Sequence, residues 1–284
     1  MTWQIVRVPH LVMGWQIAAW SALGLAVAAG LVAVLRPQGH RGRLAVAVVR
    51  ESAVVVGLYA AWQLVGTLAR VNPDGALRRG QDLVAIEHWL HLPDERSLQA
   101  IVLPHTWLVQ LANGYYAYGH FTGLIVFLAW MFLRHRDRYP DARTSLVLST
   151  GLCFCCQLVA VAPPRLLPGG GYVDTAEVYG ESVYGSATFG IADQLSAFPS
   201  VHVGWAALIG WYVWRVGGSR WRWLGPVHFV VTTLVVVVTA NHYWLDGIAA
   251  IALLALALAS QAAARSLVAG TDESLAWPDD RTAP

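Results

Sequence analysis

Seven stretches of this 284-residue chain are apolar over enough length to cross a lipid bilayer as helices. A hydrocarbon layer of ~30 Å needs ~20 helical residues. The stretches are Leu11–Leu35, Ala53–Ala69, Thr106–Leu133, Leu146–Ala162, Pro199–Val216, Trp223–Ala240 and Tyr243–Ala264. The first is too long for a signal-peptide core, and only one Arg precedes it, so it is read as a retained span. Composition agrees: 56% of residues are hydrophobic and 13% charged, against about 25% charged in soluble domains. Disordered, fibrous and disulfide-scaffold classes are excluded. The expected fold is all-α, a polytopic membrane bundle of about seven transmembrane helices. Residues 1–69 would supply N-terminal helices, 70–265 a membrane core, and 266–284 a disordered cytoplasmic tail.

All 19 basic residues are Arg, and the net charge is +2. Any bound anion must therefore be held by Arg, His, hydroxyls or backbone N–H groups. No basic tail or basic stripe with interleaved aromatics exists, so a nucleic-acid partner has no support. With seven spans, 13 Arg fall on one side of the membrane and six on the other. The positive-inside rule makes the richer side cytoplasmic. The loops 70–105 and 163–198 then face outward, with the N-terminus outside and the C-terminus inside. Trp211, Trp214, Trp221, Trp223 and Trp244 fall near span ends, as an aromatic belt requires. Cys153, Cys155 and Cys156 lie in one apolar run with no second cluster, and are read as buried thiols rather than metal ligands.

Between the spans, Asp82–Leu92 places Leu83, Ile86, Trp89 and Leu90 at helical spacing and is expected to lie on the interface. Pro164–Ala197 is a long connection rich in Gly, Tyr and acids, of the length typical of lids and binding loops. Thr271–Pro284 is polar and acidic and is expected to be unstructured.

Three polar clusters interrupt the apolar pattern, all on the outward side. Pro163-Pro164-Arg165 ends the fourth span and holds an Arg at the membrane edge. Phe198-Pro199-Ser200-Val201-His202 opens the fifth, with Pro199 suited to the first helical position. A helix N-terminus presents free N–H groups and partial positive charge, a ready phosphate site. Asn241-His242-Tyr243-Trp244-Leu245-Asp246 opens the seventh, with His242 and Asp246 four residues apart and so on one helix face. A carboxylate in an apolar helix is costly unless paired. Bonded to one ring nitrogen it fixes the histidine tautomer and leaves the other nitrogen free as a nucleophile or base.

Each cluster also has a structural reading: Arg165 as interfacial anchor, Ser200 as cap beside a snorkelling His202, His242 and Asp246 as a structural pair. Taken together they combine an anion clamp, a helix N-terminus, two His and an orienting Asp, which suits phosphoryl transfer through a phosphohistidine. Metal ligation by two His and one Asp would leave Ser200 and Arg165 without a role, so no metal or cofactor is expected.

Pro-Ser-x-His, followed about forty residues later by His-x-x-x-Asp, resembles the type-2 phosphatidic acid phosphatase superfamily. Pro-Pro-Arg-Leu-Leu-Pro, Phe-Pro-Ser-Val-His-Val-Gly-Trp-Ala, His-Tyr-Trp-Leu-Asp and Tyr115-Tyr116-Ala117-Tyr118-Gly119-His120-Phe121 are most similar to its inositol phosphorylceramide synthase-like branch. The resemblance covers about residues 80–265. It implies a six-helix core preceded by one extra helix. It also implies His242 as nucleophile, Asp246 as its orienting group and His202 as general acid. Arg165, Ser200 and the Val201 N–H would hold phosphate. His120, Tyr116, Tyr243 and Arg79 are further candidates for substrate contact. The implied partners are a membrane lipid substrate and a polyol or sugar acceptor.

The chain departs from the superfamily pattern in three places. The Lys before the first-motif Arg is absent, Val236 stands where an Arg precedes the nucleophile, and Val201 replaces the Gly between Ser and His. Those departures keep open a second class, a non-catalytic lipid-phosphate-binding protein or transporter.

Overall fold

The structure, a computed structural model, describes residues 15–34, 39–71, 74–180 and 194–274. Helices α1 (Trp15–Val34) and α2 (His40–Val71) form an antiparallel hairpin. Then follow α3 (Ala76–Trp89), α4 (Glu95–Val102) and α5 (Thr106–Gly114). A single π-turn, Tyr115–Gly119, links α5 to α6 (His120–Arg134). The remaining helices are α7 (Tyr139–Gln157), α8 (Thr175–Val178), α9 (Val201–Val216), α10 (Leu224–Val238) and α11 (Trp244–Ser274). Among the described residues there is no β-strand, only an isolated bridge between Val161 and Ser196. The all-α membrane bundle expected from the sequence is the observed architecture.

Among the described residues, five helical segments are long and apolar enough to cross a membrane: Gln16–Val34, Arg41–Ala61, Thr106–Arg134, Arg220–Val238 and Trp244–Leu267. Two further expected spans, α7 and α9, are helices of 19 and 16 residues that fall outside this set. Helix α2 begins at His40, well before the expected Ala53, and takes in Arg41, Arg43 and Arg50. Arg has high helix propensity, and its long stem lets a charged head reach the interface, so these residues extend the helix instead of ending it. At the other end, α11 continues to Ser274, into the segment expected to be unstructured; residues 275–284 lie outside the described set.

Helix α9 is the hub, packed against α6, α7, α10 and α11. Its lower half joins one apolar core: Leu208, Ile209 and Tyr212 meet Phe127 and Met131 of α6, Leu146 of α7 and Leu254 of α11. The crossing with α10 depends on two glycines. A Cβ on Gly225 would lie 2.8 Å from the Val213 side chain and 3.0 Å from Gly210 Cα. Of the three cysteines, only Cys153 is buried; Cys155 is exposed on α7, so the expectation of three buried thiols is corrected. Trp211, Trp221 and Trp223 are exposed, and Arg215 and Arg220 lie over the rings of Trp211 and Trp221.

Polar contacts tie α2 to the core. Arg143 Nη1 donates to Glu51 Oε1 at 2.6 Å, and the Tyr139 hydroxyl donates to Glu51 Oε2 at 3.0 Å. Removing a buried acceptor strands its donors at a cost of about 1–3 kcal/mol. Glu51→Ala is therefore expected to lower the melting temperature in detergent and to expose the α1–α2 hairpin to protease first. An unchanged melting temperature would mean that apolar contact alone holds the hairpin.

Candidate active site

The site is built where the N-termini of α9 and α11 meet the segment after α7. Helix α10 ends in a turn with Ala240 at φ 53°, in the left-handed region. Such a conformation costs on the order of 1 kcal/mol for a residue with a Cβ. The turn lets the N–H groups of Asn241 and His242 both reach the Val236 carbonyl, at 3.0 and 3.2 Å. It delivers His242 just ahead of α11, which starts at Trp244.

His242 and Asp246 meet, though not as two residues on one helix face. His242 precedes the helix, and Asp246 sits in its first turn. Asp246 Oδ2 accepts the Tyr243 N–H at 2.9 Å, the backward reach of an N-terminal capping residue. The same oxygen lies 3.1 Å from His242 Nδ1, and the Ala197 carbonyl lies 2.9 Å from that nitrogen. Both neighbours are acceptors, so Nδ1 carries the proton and Nε2 presents a lone pair. Asp246 is fully buried, and its Oδ1 has no hydrogen-bond partner among the described residues.

Ser200 caps α9: its Oγ accepts the Val203 N–H at 3.3 Å. Pro199 thus lies one residue outside the cap, not at the first helical position. The Ser200 N–H donates to the Asp246 main-chain oxygen at 3.1 Å, which joins the two helix ends. With the Val203 donor taken, the N–H groups of Val201 and His202 are the ones left to face an anion. The His202 ring lies between Tyr116, stacked at 4.6 Å between centroids, and His242, at 5.3 Å. His120 lies against His202 at 4.1 Å. The π-turn brings these rings in, and Tyr115 fastens it to α10 through 2.8 Å contacts with His228 Nδ1 and Thr232 Oγ1.

Arg165 is buried, and its N–H donates to the Ala240 carbonyl at 3.0 Å. Its Nε donates to Asn241 Oδ1 at 2.9 Å, and its Nη1 to Asp174 Oδ2 at 2.6 Å and Gln194 Oε1 at 2.7 Å. Asn241, Gln194 and the Ala197 carbonyl were not singled out from sequence, and Asp174 stood out only as one of the acids of the Pro164–Ala197 connection. Asn241 stood inside a quoted motif, but nothing in its spacing marked it as the guanidinium's partner.

Two sequence candidates are used structurally. The Tyr243 hydroxyl donates to the Ala162 carbonyl at 2.8 Å, and the ring is buried. Arg79 Nε donates to the Ala160 carbonyl at 2.6 Å and its Nη2 to the Asp74 carbonyl at 3.0 Å. Of the loop acids, Asp174 and Glu177 are described, while Glu181 and Asp193 lie outside the described residues. Among the described residues, no group of three or more His, Cys, Asp or Glu converges as a metal cluster would.

A family model described as the PAP2 superfamily matches residues 81–260. The chain belongs to the PAP2 superfamily. The matched segment contains Arg165, Ser200, His202, His242 and Asp246, and it leaves out the α1–α2 hairpin. Superfamily membership makes lipid-phosphate phosphatase or phosphotransferase chemistry the general activity class. No curated protein and no solved structure matches the chain significantly.

Asp174 pairs with the Arg165 guanidinium, so an anion bound there would have to share it. Asp174→Asn removes that competing charge and is expected to strengthen inhibition by orthovanadate, a phosphate mimic, several-fold. Weaker inhibition would show that Asp174 chiefly aims the guanidinium.

Proposed function

We propose that the protein is an integral-membrane lipid phosphatase or phosphotransferase that works at the extracytoplasmic face through a phosphohistidine on His242. The observation that carries this reading is His242 Nδ1 lying between two acceptors, Asp246 and the Ala197 carbonyl, which leaves Nε2 as a nucleophile. The outward placement rests on the asymmetry of Arg between the two sides of the membrane.

In the first step Nε2 attacks phosphorus, and the bond from phosphorus to the lipid alcohol breaks. His202, as imidazolium, gives its proton to the leaving oxygen. Arg165 and the first N–H groups of α9 hold the phosphoryl oxygens. In the second step His202 takes a proton from the acceptor hydroxyl, which attacks phosphorus. The P–N bond breaks and its electron pair returns to Nε2. Water as acceptor gives a phosphatase, and a polyol such as inositol gives a transferase.

The charge balance favours the transferase. One Arg plus a helix end offers about one and a half positive charges, and Asp174 offsets part of that. Such a clamp suits a singly charged phosphodiester better than a doubly charged monoester. The inositolphosphotransferase-like motifs point the same way, with a phospholipid head group as the donor and polyprenyl phosphates as the other lipid class to try.

The test is product analysis on phosphatidic acid, polyprenyl pyrophosphate, phosphatidylinositol and lysolipids, with and without inositol. Acceptor-dependent transfer from the diester is expected. Free phosphate released regardless of acceptor would make the protein a phosphatase. His242→Ala should abolish turnover and an acid-labile, alkali-stable label on the enzyme, while the protein still assembles. Full activity of that variant would sink the mechanism.

A further inference from the structure

The first turn of α11 carries three backbone N–H groups at its very end, and each is taken by a different carboxyl group. Tyr243 N–H goes to Asp246, Trp244 N–H to Glu95 Oε1 at 3.3 Å, and Leu245 N–H to Glu87 Oε1 at 2.7 Å. Glu87 comes from α3 and Glu95 from the start of α4, both outside the membrane-spanning segments, and both are buried. The Trp244 indole N–H adds a 2.7 Å bond to the Pro93 carbonyl between those two helices. Helix α3 comes this close because residue 80 is glycine. A Cβ there would stand 2.8 Å from both the Ala162 carbonyl oxygen and the Tyr243 hydroxyl.

We infer that Glu87 and Glu95 are positioning residues for the nucleophile, together setting the first turn of α11 and, through Asp246, the aim of His242. The inference rests on the reading of His242 as nucleophile. An isolated helix end would satisfy its donors with water or one capping side chain. Here two acids reach in from separate helices, and they hold the residues on either side of the Tyr243–Asp246 bond. A shift in that turn moves the carboxylate that fixes the His242 tautomer and direction.

The two glutamates cannot both be charged cheaply. Glu95 on α4, Asp246 and Tyr243 at α11, and Tyr172 of the connecting loop surround Glu87. Asp94 and Arg96, at the start of α4, are charged groups close to Tyr172. Among the described residues no arginine pairs with either glutamate. Burial, and then the adjacent Glu95, push the Glu87 pKa up to about 9. Glu87 Oε2 is buried without a hydrogen-bond partner, in keeping with a carboxyl group that holds a proton and uses Oε1 as the acceptor. Below about 9 Glu87 keeps its proton. Above it, Glu87 becomes a buried carboxylate beside other acids, and the cap loosens.

Glu87→Leu and Glu87→Gln separate the possibilities in the full-length protein in detergent. Glu87→Leu should lower kcat on the order of 10- to 100-fold, the scale of a small misplacement of a reacting group, with KM little changed. Glu87→Gln keeps an oxygen for the Leu245 N–H, so it should rescue most turnover while losing the alkaline limb expected of the native enzyme near pH 9. Melting temperature gives a readout independent of turnover. The folded protein keeps a proton that the unfolded chain releases, so stability falls as pH rises from the ordinary carboxylate range to about 9. Glu87→Gln should flatten that slope. Native kcat in Glu87→Leu, or a native alkaline limb or native stability slope in Glu87→Gln, would overturn the inference. An active His242→Ala would instead overturn the phosphohistidine reading and leave the stability result standing.

Discussion

A carboxylate with no solvent exposure, Asp246, sits where α9, α11 and the turn between α10 and α11 meet. Such a group is tolerable only if its surroundings supply donors. One oxygen takes the Tyr243 N–H and the His242 ring N–H, and its main-chain carbonyl takes the N–H of the α9 cap, Ser200. The demand for donors thus fixes a histidine tautomer and locks two helix N-termini together. The αL turn at Ala240 and the Arg165 N–H bound to its carbonyl hold the approach to His242 from the other side. Loss of this one carboxylate would free the Tyr243 N–H and the His242 ring at once, while the main-chain bond to Ser200 would remain.

The scarcity of charge explains how so few residues organise this end of the bundle. Arg165 fixes its own segment to the α10–α11 turn through Asn241, and to the connecting loop through Asp174 and Gln194. Arg79 fixes α3 to the end of α7 through the Ala160 carbonyl. Each guanidinium joins pieces distant in sequence, as a planar group with five donors can. Beneath them a small apolar cluster of Ala160, Ala162, Leu167, Ala197 and Tyr243 keeps water from the backbone bonds.

What was legible in the sequence follows from how local each signal is. The long apolar stretches gave the helices, because lipid imposes length and composition directly. The motifs gave His202, His242, Asp246, Ser200 and Arg165, because rare polar residues stand out in an apolar chain, and the structure gathers all five at one end. Their geometry was less legible. A spacing of four suggested one helix face, whereas the helix begins after His242 and the contact is a capping contact. The Glu87 and Glu95 contacts to α11 span 158 and 149 residues, and no periodicity encodes a pairing so remote. In α3 the amphipathic pattern suggested a helix lying on lipid. The pattern is real on its exposed side, where Trp89 is 75% exposed, but Gly80 and Glu87 face inward onto α11 and the end of α7.

Two helix N-termini converge on the site, and they are not electrostatically alike. Every helix N-terminus carries partial positive charge. At α11 that charge is met by Asp246, Glu95 and Glu87, which leaves nothing there for a ligand anion. At α9 the cap is a neutral hydroxyl, Ser200, and the first turn contains no acid. Under the proposed mechanism, an anion arriving between the two helices would be turned away from α11, where carboxyl groups already occupy the donors, and drawn to Val201 and His202 of α9. The proposed nucleophile, His242, and the proposed acid, His202, would then approach phosphorus from different elements. The acids gathered at the α11 N-terminus thus serve the proposed chemistry twice. They satisfy the helix that carries Asp246, and they leave the α9 end as the electropositive one.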